Sequence, residues 1–240
     1  MTWRWRTYSK LGVAVAGLLA MRVGAAAALT GHIELAGSRE SAVRKAKNFS
    51  GVVVWLQPSA EVAALPRQRA VMLQKDKTFL PHILAIAQGS SVEFPNLDPI
   101  FHSAFSNFEG QIFDIALYPP GTSRSVRFDR PGIVRVFCNI HPAMSAVIVV
   151  VNTRYFAITK EDGSFEISNV PPGEYGVHFF HERATPETLA RLRRSISVTE
   201  QPVDLGPITI SETGYLPVAH KNKYGQPYRT PGDEVRPYSN

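Results

Sequence analysis

The segment FCNIHPAMSAVIVV holds the residues best suited to chemistry: Cys138, His141 and Met144, in the pattern C-x-x-H-x-x-M. In the run GIVRVFC just before it, Val134, Val136 and Cys138 fall on one strand face, because successive side chains alternate. Cys138 therefore points with apolar residues towards an interior. The chain turns at Pro142, and a new strand begins at Ser145. A turn of this size aims a thiol, an imidazole and a thioether at one point. Cys138 is also the only cysteine, so no internal disulfide is possible, and a lone thiol in an exported chain is either buried or ligated. Thiolate and thioether are soft donors that suit Cu(I), and imidazole serves both oxidation states. Two histidines, a cysteine and a weak axial methionine make the donor set of electron-transfer copper sites. The second histidine comes from PNLDPIFHSAFS: His102, 36 residues before Cys138, opens a strand after a proline-bearing loop. Singly, such a cysteine is a small core residue, the methionine core filler and each histidine a satisfied polar group. Together, in this order on a β-rich chain, they read as one copper ion's ligands.

The elements that must position them are strands. AVMLQKD, HILAIAQG, SVEFPN, HSAFSNF, SRSVRFD, GIVRVFC and MSAVIVVV each have strand length, and they are separated by Gly and Pro breaks. Such a series predicts a Greek-key β-sandwich or barrel. Before it lie an alternating strand, TGHIELAG, a charged loop or short helix, SRESAVRKAKN, and a continuous apolar strand, GVVVWLQP. After it come alternating runs about EDG, read as a tight hairpin, and a turn at PPG. A helix is expected from Thr185, with Thr185 as N-cap and Pro186 in the first turn. SISVTE and LGPITI follow as strands, then a tail without periodicity, expected to be poorly ordered or a strap across another surface.

Composition narrows the classes. Of 240 residues, 44% are hydrophobic and 19% charged, a globular balance. The net charge of +6 is concentrated at the start: Arg4, Arg6, Lys10 and Arg22 precede residue 29, leaving 22 cations against 20 anions. That remainder gives no case for nucleic-acid binding. MTWRWRTYSK, the apolar run Leu11–Met21 and VGAAAALTG read as a signal peptide, residues 1–28, with a cut after Ala28. The expected location is the periplasm, with no membrane span after cleavage, since the apolar run is shorter than the roughly 20 residues a span needs. Four protein ligands leave no open position for a substrate, and no nucleophile elbow, phosphate loop or paired carboxylates appear, so the chain is not read as an enzyme.

The segment from Ala70 to Val150, with VEFPNLDPIFHS and CNIHPAM, resembles the cupredoxins, the family of plastocyanin, amicyanin and pseudoazurin. Its loop is most similar to amicyanin's C-x-x-H-P-x-M. The whole chain resembles bacterial proteins labelled methylamine-utilisation or plastocyanin-like. The resemblance implies a type 1 (blue) copper ion with His102, Cys138 and His141 as equatorial ligands and Met144 as the axial one. Ser103 departs from the family, which often carries Asn directly after the first histidine, where it ties the two ligand loops together. GHIEL, GVVVWL and DGSFEISNVPPGEYGVHFF resemble a carboxypeptidase regulatory-like (transthyretin-like) β-sandwich. The expected fold is therefore all-β, a cupredoxin sandwich (67–151) inserted between the halves (29–66 and 152–212) of a second small sandwich, with a tail, 213–240.

The function implied is single-electron transfer with a redox partner protein docking near His141, where Pro142, Ala143, Pro99 and Ile100 supply an apolar rim. The alternative is copper delivery, or a non-catalytic structural or carbohydrate/protein-interaction module. Elsewhere, His178 and His181 read as facing opposite sides, His82 as structural, and His32 and His220 as lacking a partner pattern. The Arg191, Arg193 and Arg194 group reads as a solvated face.

Overall fold

The computed structural model describes residues 26–60, 65–107, 110–216 and 220–228. The basic segment and the apolar run Leu11–Met21 of the expected signal lie outside the described residues, as does the end of the tail. In chain order the elements are β1 (Ala27–Ala36), α1 (Ser41–Ala46), β2 (Val53–Pro58), β3 (Arg69–Val71), β4 (Leu73–Lys75), β5 (Thr78–Leu80), β6 (Ile83–Ala87) and β7 (Ser90–Pro95). Then come β8 (His102–Ser106), β9 (Phe113–Tyr118), β10 (Ser123–Phe128), β11 (Gly132–Phe137) and β12 (Ser145–Val151). The chain continues with β13 (Phe156–Ile158), β14 (Ser164–Val170), β15 (Gly173–Phe180), α2 (Pro186–Leu192), β16 (Arg194–Val198) and β17 (Val203–Ser211). No helix among the described residues is long and apolar enough to cross a membrane.

The fold is all-β, and strand pairing sorts the chain into two sandwiches. Strands from the two ends pair with each other, in the orders β14-β1-β17 and β13-β2-β15-β16. The middle strands pair only among themselves, as β10-β7-β3, β6-β12-β11-β8-β9 and the small β4-β5 pair. The sandwich of the chain ends is closed by Leu29, Ile33, Val54, Leu56, Phe165, Ile167, Val177 and Phe179. The middle sandwich is closed by Phe79, Val92, Phe94, Phe128, Val134, Val136, Ile148 and, in the same core, Cys138 and Met144.

The two sandwiches share a third apolar cluster: Val53, Ala85, Val147, Val149, Val151 and Phe180, with Trp55 and Phe156 against them. This explains the two continuous apolar runs. In β12, Ala146, Ile148 and Val150 face the middle core, while Val147, Val149 and Val151 face the other sandwich. A strand covered on both sides loses its polar alternation. Truncating Phe180, which fills this interface, leaves a cavity, so Phe180→Ala is expected to lower stability by about 3–5 kcal/mol, measured by urea unfolding. Because Phe180 lies in this shared cluster, away from the Cys138 loop, metal uptake by the folded variant should be retained.

Several details differ from the sequence expectation. Residues Phe113–Tyr118 form a strand, hidden in the sequence because the fragment IFDIALY has no clean alternation, although Gly110 and Pro119–Gly121 flank it. AVMLQKD divides at Met72 into β3 and β4, which join different sheets. The turn at EDG forms, with the Gly163 amide donating to Lys160 O at 2.9 Å. Its φ of +86°, and the collision a Cβ would have with Ile33 O, require glycine. The flanking strands nevertheless part: β13 pairs with β2 and β14 with β1, since the apolar sides of the two runs close opposite sheets. β1 begins at Ala27, buried and paired with Val170, so the first two residues of the strand precede the expected cut after Ala28. The helix after Thr185 is as expected, with Thr185 Oγ1 accepting from the Thr188 amide at 3.2 Å.

Candidate metal centre

His102 is the first residue of β8, and β8 lies beside β11 through Phe105 and Phe137. Cys138 follows β11 directly, so adjacent strands bring residues 36 positions apart to one end of the sandwich. The loop to β12 is closed by its own backbone: the Cys138 amide donates to Met144 O at 3.2 Å and the Met144 amide to His141 O at 3.0 Å. Cys138, His102 and Met144 are fully buried, whereas His141 keeps part of its surface exposed.

Three donors converge. His102 Nδ1 and His141 Nδ1 are 3.1 Å apart, and Cys138 Sγ lies 3.9 Å from the first and 3.5 Å from the second. Taking zinc's bonds as a yardstick for a first-row ion, about 2.0–2.1 Å to imidazole and 2.3 Å to thiolate, angles of about 100–120° put donor atoms about 3.1–3.8 Å apart. The observed separations fit one ion at their centre. They are the one such group of three or more His, Cys, Asp or Glu side chains among the described residues. Met144 enters the same core from the far end of the loop.

The groups behind these donors fix their orientation. His102 Nε2 donates to Asp98 Oδ2 at 2.7 Å, which leaves Nδ1 as the bare lone pair. Asp98 is buried, and the Asp76 and Lys77 amides donate to its carboxylate at 2.7 and 2.9 Å. Those two residues form the tight turn between β4 and β5, with φ of +53° and +55°, so successive amides face one anion. Burial pushes the Asp98 carboxyl up, but the Lys77 amide, His102 and the Asp76 amide outweigh it and hold the group below the usual carboxylate range. His141 is shifted down by burial, then by His102 and Lys77, which favours the neutral imidazole a metal needs.

Ser103 links the segments that carry His102 and Cys138. Its Oγ accepts from the Asn139 amide at 2.8 Å and donates to Cys138 Sγ at 3.7 Å, joining the two ligand segments. The short hydroxyl suffices because β8 and β11 are adjacent.

The sequence reading missed three groups. Asp98 had a faint signal, an acid four residues before His102. His220 and Tyr228 had none. His220 Nε2 lies 2.6 Å from Pro142 O, its ring stacks on Phe137 at 4.1 Å, and Tyr228 Oη donates to Cys138 O at 2.9 Å. Burial, then the nearby Cys138 sulfur, pushes the Tyr228 hydroxyl up to about 12, so it remains a donor. The tail between residues 220 and 228 is therefore a strap, and the surface it crosses is the outside of this loop.

Three further histidines make structural contacts. His178 stacks on Trp55 at 5.2 Å, and His181 lies 2.8 Å from Glu212 Oε1. His82 joins the two sandwiches, with Nδ1 3.0 Å from Ser145 O and Nε2 2.8 Å from Glu182 Oε2. The Glu182 hydrogen bond raises its pKa above the ordinary 6.5, against burial and Arg183. A raised folded-state pKa gives stability present below about pH 6.5 and lost as pH rises through the higher folded value. His181 is shifted down by burial and contributes in the opposite sense, above the ordinary value. The stability difference between wild type and His82→Gln should therefore be larger at about pH 5.5 than at about pH 8.5, as read from urea midpoints.

No family model and no curated protein matches this chain. Among solved structures, a copper-containing nitrite reductase from Thermus scotoductus SA-01 aligns at 28% identity over 40% of this chain, with a TM-score of 0.35. This chain spans only 26% of that protein's length. A purple cupredoxin from Nitrosopumilus maritimus aligns at 20% identity over 34% of this chain and 99% of its own, with a TM-score of 0.32. Amicyanin from Paracoccus versutus aligns at 18% identity over 40% of this chain and 97% of its own, also with a TM-score of 0.32. The reading of the site stands on the chain's own donor geometry.

Proposed function

We propose that the chain is a periplasmic type 1 copper protein that carries single electrons between redox partners and has no catalytic activity of its own. The observation that supports this most is the convergence of two imidazole nitrogens and one thiol sulfur at mutual distances of 3.1–3.9 Å. In this reading His102, Cys138 and His141 would hold one copper ion, with Met144 as the fourth, weaker donor. A thioether favours copper over zinc or magnesium. Copper held there would supply a one-electron couple. Asp98 and Ser103 fix His102 and Cys138 from behind.

A redox partner protein would dock near the exposed part of His141. Leu97, Phe101 and Ile140 are exposed large apolar side chains on the ligand-bearing loops, and Pro99, Pro142 and Ala143 add to the rim. Such a patch suits a brief, low-area encounter. Residues 67–151 are read as the inserted copper domain, and residues 29–66 with 152–212 as the regulatory-like sandwich that carries it.

The test is titration of the purified protein with Cu(II), followed by voltammetry. The expected result is one equivalent bound, an intense blue colour, and reversible one-electron cycling with the metal retained. A colourless protein overturns the proposal. Loss of Cu(I) to an acceptor on reduction favours delivery over electron transfer.

A further inference from the structure

Resting on that copper reading, we propose that the strap of residues 220–228 is a clamp that positions the Cys138–Met144 loop for its metal. Tyr228 and His220 are the positioning residues.

The strap meets the loop at three separate points. Tyr228 Oη donates to the Cys138 carbonyl at 2.9 Å, the Lys223 amide donates to Asn139 Oδ1 at 3.0 Å, and His220 Nε2 lies 2.6 Å from the Pro142 carbonyl. His220 Nδ1 also lies 3.1 Å from Tyr228 Oη, and the two rings meet edge to face at 5.1 Å, so the two side chains brace each other. The strap is itself shaped: Asn222 Oδ1 accepts from the amides of Tyr224 and Gln226, and the Gly225 amide donates to Asn222 O. An ion pair from Lys223 Nζ to Asp114 Oδ2 at 2.8 Å moors it to β9.

The geometry bears on the ligands because of where these contacts fall. From within, the loop is held by two backbone bonds, both to Met144, and by Ser103. Those bonds leave the Cys138 and Pro142 carbonyls, which flank His141, to the strap. Opening the loop moves His141 and Met144 relative to Cys138, and metal affinity falls by the fraction of time the three are out of place. The contact also joins the copper site to the other sandwich, since the strap follows β17.

The experiment uses the full chain with two variants, Tyr228→Phe, which keeps the ring and removes the hydroxyl, and the double variant with His220→Ala. Amide hydrogen exchange is measured first on metal-free protein. Protection at the Cys138 and Met144 amides is expected to fall about five- to tenfold in Tyr228→Phe, the size of one net hydrogen bond, and further in the double variant. Protection at the Ile33 amide, within the other sandwich, should not change. Cu(I) affinity, measured by competition with a chelator, should fall by a similar factor, and the visible band and reduction potential should shift. Unchanged protection at Cys138 and Met144 in the double variant overturns the clamp. Loosened amides with unchanged Cu(I) affinity, band and potential also overturn it, because the strap would then be merely structural. If the wild type takes up no copper, the copper reading fails, and the exchange result alone decides whether the strap holds the loop.

Discussion

If the proposed copper reading holds, Cys138→Ser is expected to abolish the blue colour completely and to leave the fold intact. The thiol is fully buried in the core of the middle sandwich, and serine has nearly its shape. The new hydroxyl would sit within reach of Ser103 Oγ, which already points at the sulfur, so it has a partner and the cost of burying it is small, about 1 kcal/mol. The chemistry changes far more. A serine hydroxyl does not ionise near neutral pH and is a hard donor, so the soft ligand and its sulfur-to-copper charge transfer are both gone. Copper affinity should fall by more than the roughly 10- to 100-fold that follows loss of a residue behind the ligands. Circular dichroism and the visible spectrum, measured on the same sample, separate the two effects. A serine variant that still turns blue would exclude Cys138 as the ligand.

Asp98→Asn has the second largest expected effect, through the proton on His102. The carboxylate accepts three hydrogen bonds, from the Asp76 amide, the Lys77 amide and His102 Nε2. An amide side chain of the same shape offers only one oxygen. With that oxygen in the Oδ1 place, on the Asp76 amide, the new NH2 group takes the Oδ2 place and faces both the Lys77 amide and His102 Nε2. Nε2 must then accept, and the imidazole proton moves to Nδ1, the atom 3.1 Å from His141 Nδ1. A protonated Nδ1 has no lone pair for a metal. Copper affinity should therefore fall about 10- to 100-fold, while Asp98→Glu, with its longer reach, should recover the tautomer in part. Nitrogen chemical shifts of His102 in the metal-free protein check the mechanism independently of copper. An Nε2-protonated ring in the asparagine variant would refute it.

The residues of the candidate site were legible in the sequence because the local chain carries them. The spacing of Cys138, His141 and Met144 is that of one turn between two strands, and the periodicity of GIVRVFC already pointed the cysteine inward. His102 opens its own strand after a proline-bearing loop, but its place in the set rested more on the resemblance of VEFPNLDPIFHS to the cupredoxins. The inserted arrangement of the two sandwiches was legible too, since neither GHIEL with GVVVWL nor the run after EDG has strands enough to enclose a core alone. β9 escaped because its apolar residues do not alternate, and the parting of β13 from β14 escaped because a tight turn specifies only its own four residues.

The amino-acid sequence by itself determined which donors exist, in what order, and that a β-sandwich would hold them. Tertiary structure decided what stands behind and above them. Asp98 reaches His102 because the turn at Asp76 and Lys77 folds back upon it. Ser103 reaches Asn139 and Cys138 because β8 and β11 are neighbours. Tyr228 reaches the Cys138 carbonyl across 90 residues of sequence. Local spacing encodes a turn, but hydrogen bonds between distant segments depend on how sheets stack, and that is set by apolar faces closing on one another throughout the chain.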